Sequence, residues 1–384
     1  MRTRKDLEKI EATVLAPFAA KSGESQGRPH PENEHEYRTA FQRDRDRIVH
    51  TSAFRRLEYK TQVFVNHEGD YYRTRLTHTL EVTQIAKTIA RALGLNEDLT
   101  EAICLAHDLG HTPFGHSGQD VMAKLMADHG GFEHNKQSFR IVTNLEAPYP
   151  TFRGLNLSCE VLEGIMKHAN EYELADGTLF VKKGYPSLEA QIANVADEIA
   201  YNNHDIDDGL KSGLLDLGDM QSVPLWQERY QKICKAHPDA TFARQVRLTV
   251  KNLINDLATD LIRHTQNEID KRSLNSFDDV KKNGMNLVGF SPEIRAAVSD
   301  LKKFLFKKLY RHWRVERMTD KASRILTELF QAYIKNPNIL PVDYVASYTK
   351  SEPIERIICD YIAGMTDRFA LDEYSKLFDP HTRV

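Results

Sequence analysis

The chain has 384 residues, 41% of them hydrophobic, enough to fill the core of one large domain or two ordinary ones. Its 52 basic residues nearly balance 55 acidic ones, so a net charge of -3 creates no global field that demands a nucleic-acid or membrane partner. No apolar run approaches the roughly 20 residues that span a bilayer, and Cys104, Cys159, Cys234 and Cys359 follow no CxxC spacing, which points to reduced thiols in a cytoplasmic protein and away from a disulfide framework or thiolate zinc site.

The N-terminal MRTRKDLEKIEATVL reads as an amphipathic helix and not as a signal peptide. Residues 21–36 hold no large apolar side chain and read as a flexible arm. A helical pattern then runs from Tyr37 to about Tyr59 through Phe41, Ile48, Ala53 and Leu57. It carries Arg43, Arg45, Arg47, Arg55 and Arg56, but Arg-Asp-Arg-Asp-Arg alternates in sign, which favours an ion-pair-laced helix over a nucleic-acid face. Weak alternation from Gln62 to Arg73 around Glu68-Gly69-Asp70 suggests a short hairpin.

The next helix is announced by His78, Val82, Ile85, Ile89 and Leu93 at steps of three and four, closed by Gly94. Asn96 caps another, bearing Leu99, Ile103, Ala106 and His107, which stops near Gly110 because Pro113 and Gly115 follow. Asp176-Gly177 looks like a second hairpin turn. Ser187 caps a helix with Leu188, Ile192, Val195 and Ile199 on its core face. Beyond residue 225 the helical candidates are 242–272, 292–311, 320–335 and 353–368. The predicted class is all-α with one or two small β-hairpins: an N-terminal helix and arm (1–36), a catalytic core (37–225), and a helical C-terminal region packed on the core as one structural unit (226–384).

The strongest local signal is His107-Asp108 at a helix end, where neighbouring side chains about 100° apart can reach one ion. Gly110 and Pro113 put His111 in a loop, which argues against an uninterrupted HExxH protease helix. His78 alone reads most simply as a buried, backbone-bonded histidine. Further on, Asn194, Asp197, Tyr201, His204 and Asp208 form a polar stripe beside small Ala190 and Ala193, which suits a cavity wall better than bulk water. Together His78, His107, Asp108 and Asp197 supply two imidazoles and two carboxylates. That donor set fits a divalent ion such as Mn, Mg, Fe, Co, Ni or Zn, with positions left open for water and a phosphate oxygen.

The order H…HD…D resembles the signature of the HD superfamily. The stretches RTRLTHTLEV, AICLAHDLGHTPFGHSG, GGFEHN, LEGIMKH, EAQIANVADEIAYNNHDIDDGL and DYIAGMTDRFAL resemble, in order, the bacterial deoxyguanosinetriphosphate triphosphohydrolase-like family, from about residue 35 to 378. The resemblance implies an HD-domain helical fold with a helical C-terminal extension. It implies hydrolysis of dNTPs to deoxynucleoside and inorganic triphosphate by water attack at the α-phosphorus, in an oligomer, and it leaves room for an allosteric nucleotide or single-stranded DNA as partner. By the same resemblance Arg75, His111 and His134 contact the phosphates and His116 acts at the scissile bond, as proton donor or as base to the water. Tyr201 and Asp205 hold phosphate and sugar, and Gln62-Val63 packs on the deoxyribose.

Two positions depart from the family pattern. Gln119 stands where an acidic residue usually follows the histidine equivalent to His116; an amide can orient a ring but supplies no charge. Glu198 follows the last ligand aspartate where animal relatives place a lysine, so the missing cation must come from elsewhere. Two other readings stay open: an HD phosphodiesterase or nucleoside monophosphatase with the same ligands, and a catalytically weakened nucleotide- or DNA-binding regulator, which Gln119 favours.

Overall fold

The computed structural model describes residues 1–62, 73–167, 170–174, 177–348 and 352–383. Its helices, in chain order, are α1 (Arg4–Val14), α2 (Ala40–Val49), α3 (Ser52–Arg56), α4 (Arg75–Ala92), α5 (Glu97–Ala106), α6 (Gly115–Leu125), α7 (His134–Arg140), α8 (Cys159–Met166) and α9 (Leu188–Lys211). After these come α10 (Leu217–Met220), α11 (Pro224–Ala236), α12 (Phe242–Arg272), α13 (Phe277–Lys282), α14 (Pro292–Leu305), α15 (Trp313–Lys335), α16 (Val342–Ala346), α17 (Ile354–Ala363) and α18 (Asp367–Phe378). Among the described residues the one sheet is an antiparallel hairpin, β1 (Glu171–Glu173) and β2 (Leu179–Val181), with Tyr172 opposite Phe180. Asp176 and the expected hairpin around Glu68-Gly69-Asp70 fall outside the described residues; the bridge Thr61–Thr74 flanks the latter. No described helix is long and apolar enough to cross a membrane.

The caps that the sequence announces are made. The side chains of Asn96 and Ser187 accept from the amides of Leu99 and Ala190, satisfying donors that a helix start leaves orphaned. α4 lays Val82, Ile85 and Ile89 against α5 and α9, all at most 4% exposed. Burial of each such side chain contributes about 1.5–3 kcal/mol. A second apolar cluster joins α6 to the C-terminal helices through Met122, Met126, Leu326, Leu329 and Ile362.

Three expectations change in detail. The arm at 21–36 is a loop, but a pinned one: Arg28 pairs with buried Asp44, and the Gln26 amide donates to Glu160. The helix expected at 353–368 breaks after Ala363, because Thr366 caps a fresh helix by accepting from the Phe369 amide. α14 ends in a π-turn, Phe306–Tyr310, before α15 begins. The arginine-rich stretch is laced by ion pairs as expected, with Arg43 and Arg47 on Glu32, and Arg45 on Asp46 and Asp98. All four cysteines are free.

Candidate active site

α4, α5 and α9 bring the chemistry together. Arg75 and His78 lie one turn apart on the buried face of α4. His107 is the C-cap of α5 and Asp108 follows it in the closing turn. Asn194, Asp197 and Tyr201 lie at steps of three and four on α9. Ligand atoms of His78, His107 and Asp197 all fall within 4.8 Å of one another. Asp108 stands just outside that mutual group: its Oδ1 is 3.2 Å from His107 Nε2 and 3.3 Å from His111 Nε2, while its Oδ2 accepts from Arg75 Nη1 at 2.8 Å.

The cluster suits a cation. His107 Nδ1 contacts the Cys104 carbonyl at 2.6 Å, so that nitrogen carries the proton and Nε2 keeps its lone pair. Nε2 is buried without a hydrogen-bond partner among the described residues, a lone pair that a bound cation would satisfy. Behind His78, its Nδ1 meets His204 Nδ1 at 3.1 Å, and His204 Nε2 lies against Glu81. Burial brings His204 down to about 4. Against the effect of burial, His204 and Arg73 bring Glu81 down to about 2. A neutral His204 whose Nδ1 accepts from His78 Nδ1–H leaves His78 Nε2 free to face Asp197, 3.1 Å away. Burial opposes ionisation of Asp108 and Asp197, but His107 first, with Arg75 and His111 around the former and His78 and Lys167 around the latter, holds both well below the usual carboxylate range.

A cavity of about 810 Å³ opens over this cluster. Gln62, Arg75, His111, His116, His134 and Tyr201 all line it. The His111 and His134 rings stack at 4.2 Å, and His116 stands edge-on to His111 at 5.7 Å and to Tyr201 at 5.9 Å. Burial first, then Arg75, lowers His116 below an ordinary imidazole. Burial alone accounts for most of the drop that takes His134 to about 4. Burial and then Asp205 raise Tyr201 well above the usual phenol range, so its hydroxyl remains a donor.

Not every expected residue reaches the cavity. Asp205 is 1% exposed and lies behind the wall, where the Tyr310 hydroxyl donates to it; burial keeps it protonated well above the ordinary range. The C-terminal π-turn therefore covers the carboxyl that the α9 stripe offered to the sugar. Gln119 contacts His134, not the His116 ring it was expected to orient: its Oε1 is 2.5 Å from His134 Nδ1. α6 turns the Gln119 side chain toward α7. Val63 lies outside the described residues.

The structure adds cations that the pattern did not reveal. Lys167, the residue after α8, has φ +47°, a conformation L-residues avoid, and its Nζ is 3.9 Å from Asp197 Oδ2. Lys302 and Lys303 of α14 line the far wall, with Lys302 2.6 Å from Glu198. These three place ammonium groups on the wall of the cavity that Glu198 also lines. Tight loop packing holds the array: a Cβ on Gly110 would sit 2.2 Å from the His134 carbonyl.

A helical core that converges a His-His-Asp cluster on a cation-lined cavity is that of an HD phosphohydrolase, and the HD-domain profile matches residues 75–202, with the phosphohydrolase-associated domain over 288–376. The chain is 55% identical to proteins of Geobacter metallireducens (97% of both chains covered) and Geobacter sulfurreducens (98% of both). It is 51% identical to a Bordetella pertussis protein, over 98% of this chain and 99% of that one. Each of these relatives is named deoxyguanosinetriphosphate triphosphohydrolase-like protein, and this chain belongs to that family.

Proposed function

We propose that the chain hydrolyses dNTPs to deoxynucleoside and inorganic triphosphate, with His78, His107, Asp108 and Asp197 as the ligands of a divalent ion. The observation that carries this reading is the placement of Arg75, Lys167, Lys302 and Lys303 along one cavity that also holds the ligand cluster. A polyanion longer than one phosphate needs such a spread of cations. The names of the relatives support the same substrate class.

The ion would supply Lewis-acid polarisation of the α-phosphoryl group and lower the pKa of an attacking water. The other roles fall to side chains. Arg75 holds a phosphate oxygen with the guanidinium nitrogens that Asp108 leaves unpaired. Lys167, Lys302 and Lys303 neutralise the triphosphate that water attacks, and the Tyr201 hydroxyl, which keeps its proton, donates a hydrogen bond to it. Gln62 offers its buried, unpartnered Oε1 to a sugar hydroxyl. His116 donates a proton to the departing 5'-oxygen. Its ring is neutral at rest, and the arriving polyanion raises its pKa and so loads it with that proton.

Incubation with each dNTP and Mn²⁺ or Mg²⁺, followed by chromatography, tests the reading. Deoxynucleoside plus intact triphosphate is the expected outcome. Orthophosphate release, or turnover of cyclic or dinucleotide diesters alone, would instead assign the chain to another HD hydrolase activity.

A further inference from the structure

Asp367 is the first residue of α18, 3% exposed, in the phosphohydrolase-associated region. Its two carboxylate oxygens do different things. Oδ1 accepts from the Phe114 amide at 2.9 Å, and Oδ2 accepts from the Thr61 amide at 3.0 Å. The chain positions joined are 253 and 306 residues apart in sequence. Thr61 immediately precedes Gln62, and Phe114 comes two before His116. One side chain therefore grips the backbone just upstream of two cavity residues that come from separate segments of the chain.

The grip falls on backbone that needs holding. Phe114 has φ +63° and Gly115 φ +60°, so two left-handed residues in succession turn the chain into α6. A non-glycine residue keeps such a conformation only when its surroundings over-determine it. Lys60 ties the same three segments a second time, with its Nζ donating to the carbonyls of His111 and Ala363. Arg56 donates to the Gly364 carbonyl at 3.1 Å. The two segments themselves touch: a Cβ on Gly115, at the start of α6, would lie 3.2 Å from the Gln62 carbonyl.

We propose that Asp367 is a positioning residue for the reaction, setting His116 and Gln62 in register from the C-terminal helix. This rests on the reading above, in which His116 acts on the substrate. Asp367→Asn is the discriminating change, because an amide keeps the shape, has one acceptor oxygen for two amides, and turns a donor toward one of them. The comparison variant is Asp44→Asn. Asp44 is likewise a buried carboxylate that accepts a backbone amide, that of Ser158, but it lies away from the cavity.

In the full-length protein, D367N is expected to lower kcat for dNTP hydrolysis at least tenfold, with Mn²⁺ affinity by titration within threefold of wild type. D44N is expected to lose thermal stability yet keep kcat within twofold. Wild-type kcat in D367N, or a kcat loss in D44N as large as that in D367N, would overturn the proposal. Hydrogen exchange in the 57–62 and 109–118 peptides decides it without reference to the reaction. Faster exchange is expected in D367N alone, and equal protection in D367N and wild type would overturn it. Wild-type product analysis separately reports whether the triphosphohydrolase reading holds.

Discussion

The two sides of the cavity are built on opposite principles. The side that carries the His-His-Asp cluster, on α4, α5 and α9, is buried and locked: His78 is 1% exposed and His107 and Asp108 are 4% exposed, and His107 Nδ1, His78 Nδ1 and Asp108 Oδ2 each rest on a backbone or side-chain partner. The facing side carries its charge on movable stems, with the Lys302 and Lys303 side chains 50% and 75% exposed. Fixed groups suit a small cation that tolerates little misplacement. Screened, flexible ammonium groups suit a polyanion that arrives and leaves with every turnover. The difference predicts that substitutions on the two sides fail differently.

The largest effect is expected from His107→Ala. It should abolish bound metal, read by elemental analysis after purification with Mn²⁺, and bring turnover to background. Full metal content in this variant would remove His107 from the ligand set. Next in size is His116→Ala, which should keep the metal and lose about 10²–10⁴-fold in kcat. Its pH behaviour gives the sign. As an acid in the substrate complex, His116 makes kcat fall as pH rises through its pKa; as a base, it makes kcat fall as pH drops. The kcat/KM profile, which reports the free enzyme, should show the His116 pKa below an ordinary imidazole, because burial and Arg75 depress it there. The smallest effect is expected from Lys303→Ala on the flexible side. It should raise the inhibition constant of inorganic triphosphate about tenfold, the lower end of what a charge-assisted contact contributes, while metal binding is retained. Metal loss in this variant would erase the distinction between the two sides.

Legibility in the sequence followed the same division. His78, His107 and Asp197 are brought together by helices whose apolar periodicity and caps stand plainly in the chain, so local geometry nearly suffices to collect them. The all-α class follows from the same periodicity. Lys167 gave no such signal: a lysine just past an apolar helix reads as an ordinary C-terminal cation, and its unusual φ and its reach to Asp197 are tertiary facts. Lys302 and Lys303 read as the solvated face of an amphipathic helix until α14 is seen against the cavity. Asp205 misled in the opposite direction. Its spacing from Asp197 is right for the cavity, but Tyr310, a hundred residues on, covers it. The break between α17 and α18 was missed because Gly364 alone is a weak stop and the Thr366 cap lies inside an otherwise continuous apolar pattern.

The carboxylate of Asp367 bears on how far this enzyme can be trimmed. A fragment cut to the residues matched as an HD domain would retain His78, His107, Asp108 and Asp197 and still lack Thr61, Gln62, the Asp367 contact to Phe114 and the lysines of α14. The helices of the second matched domain therefore contribute contacts and lining residues to a cavity centred on the first.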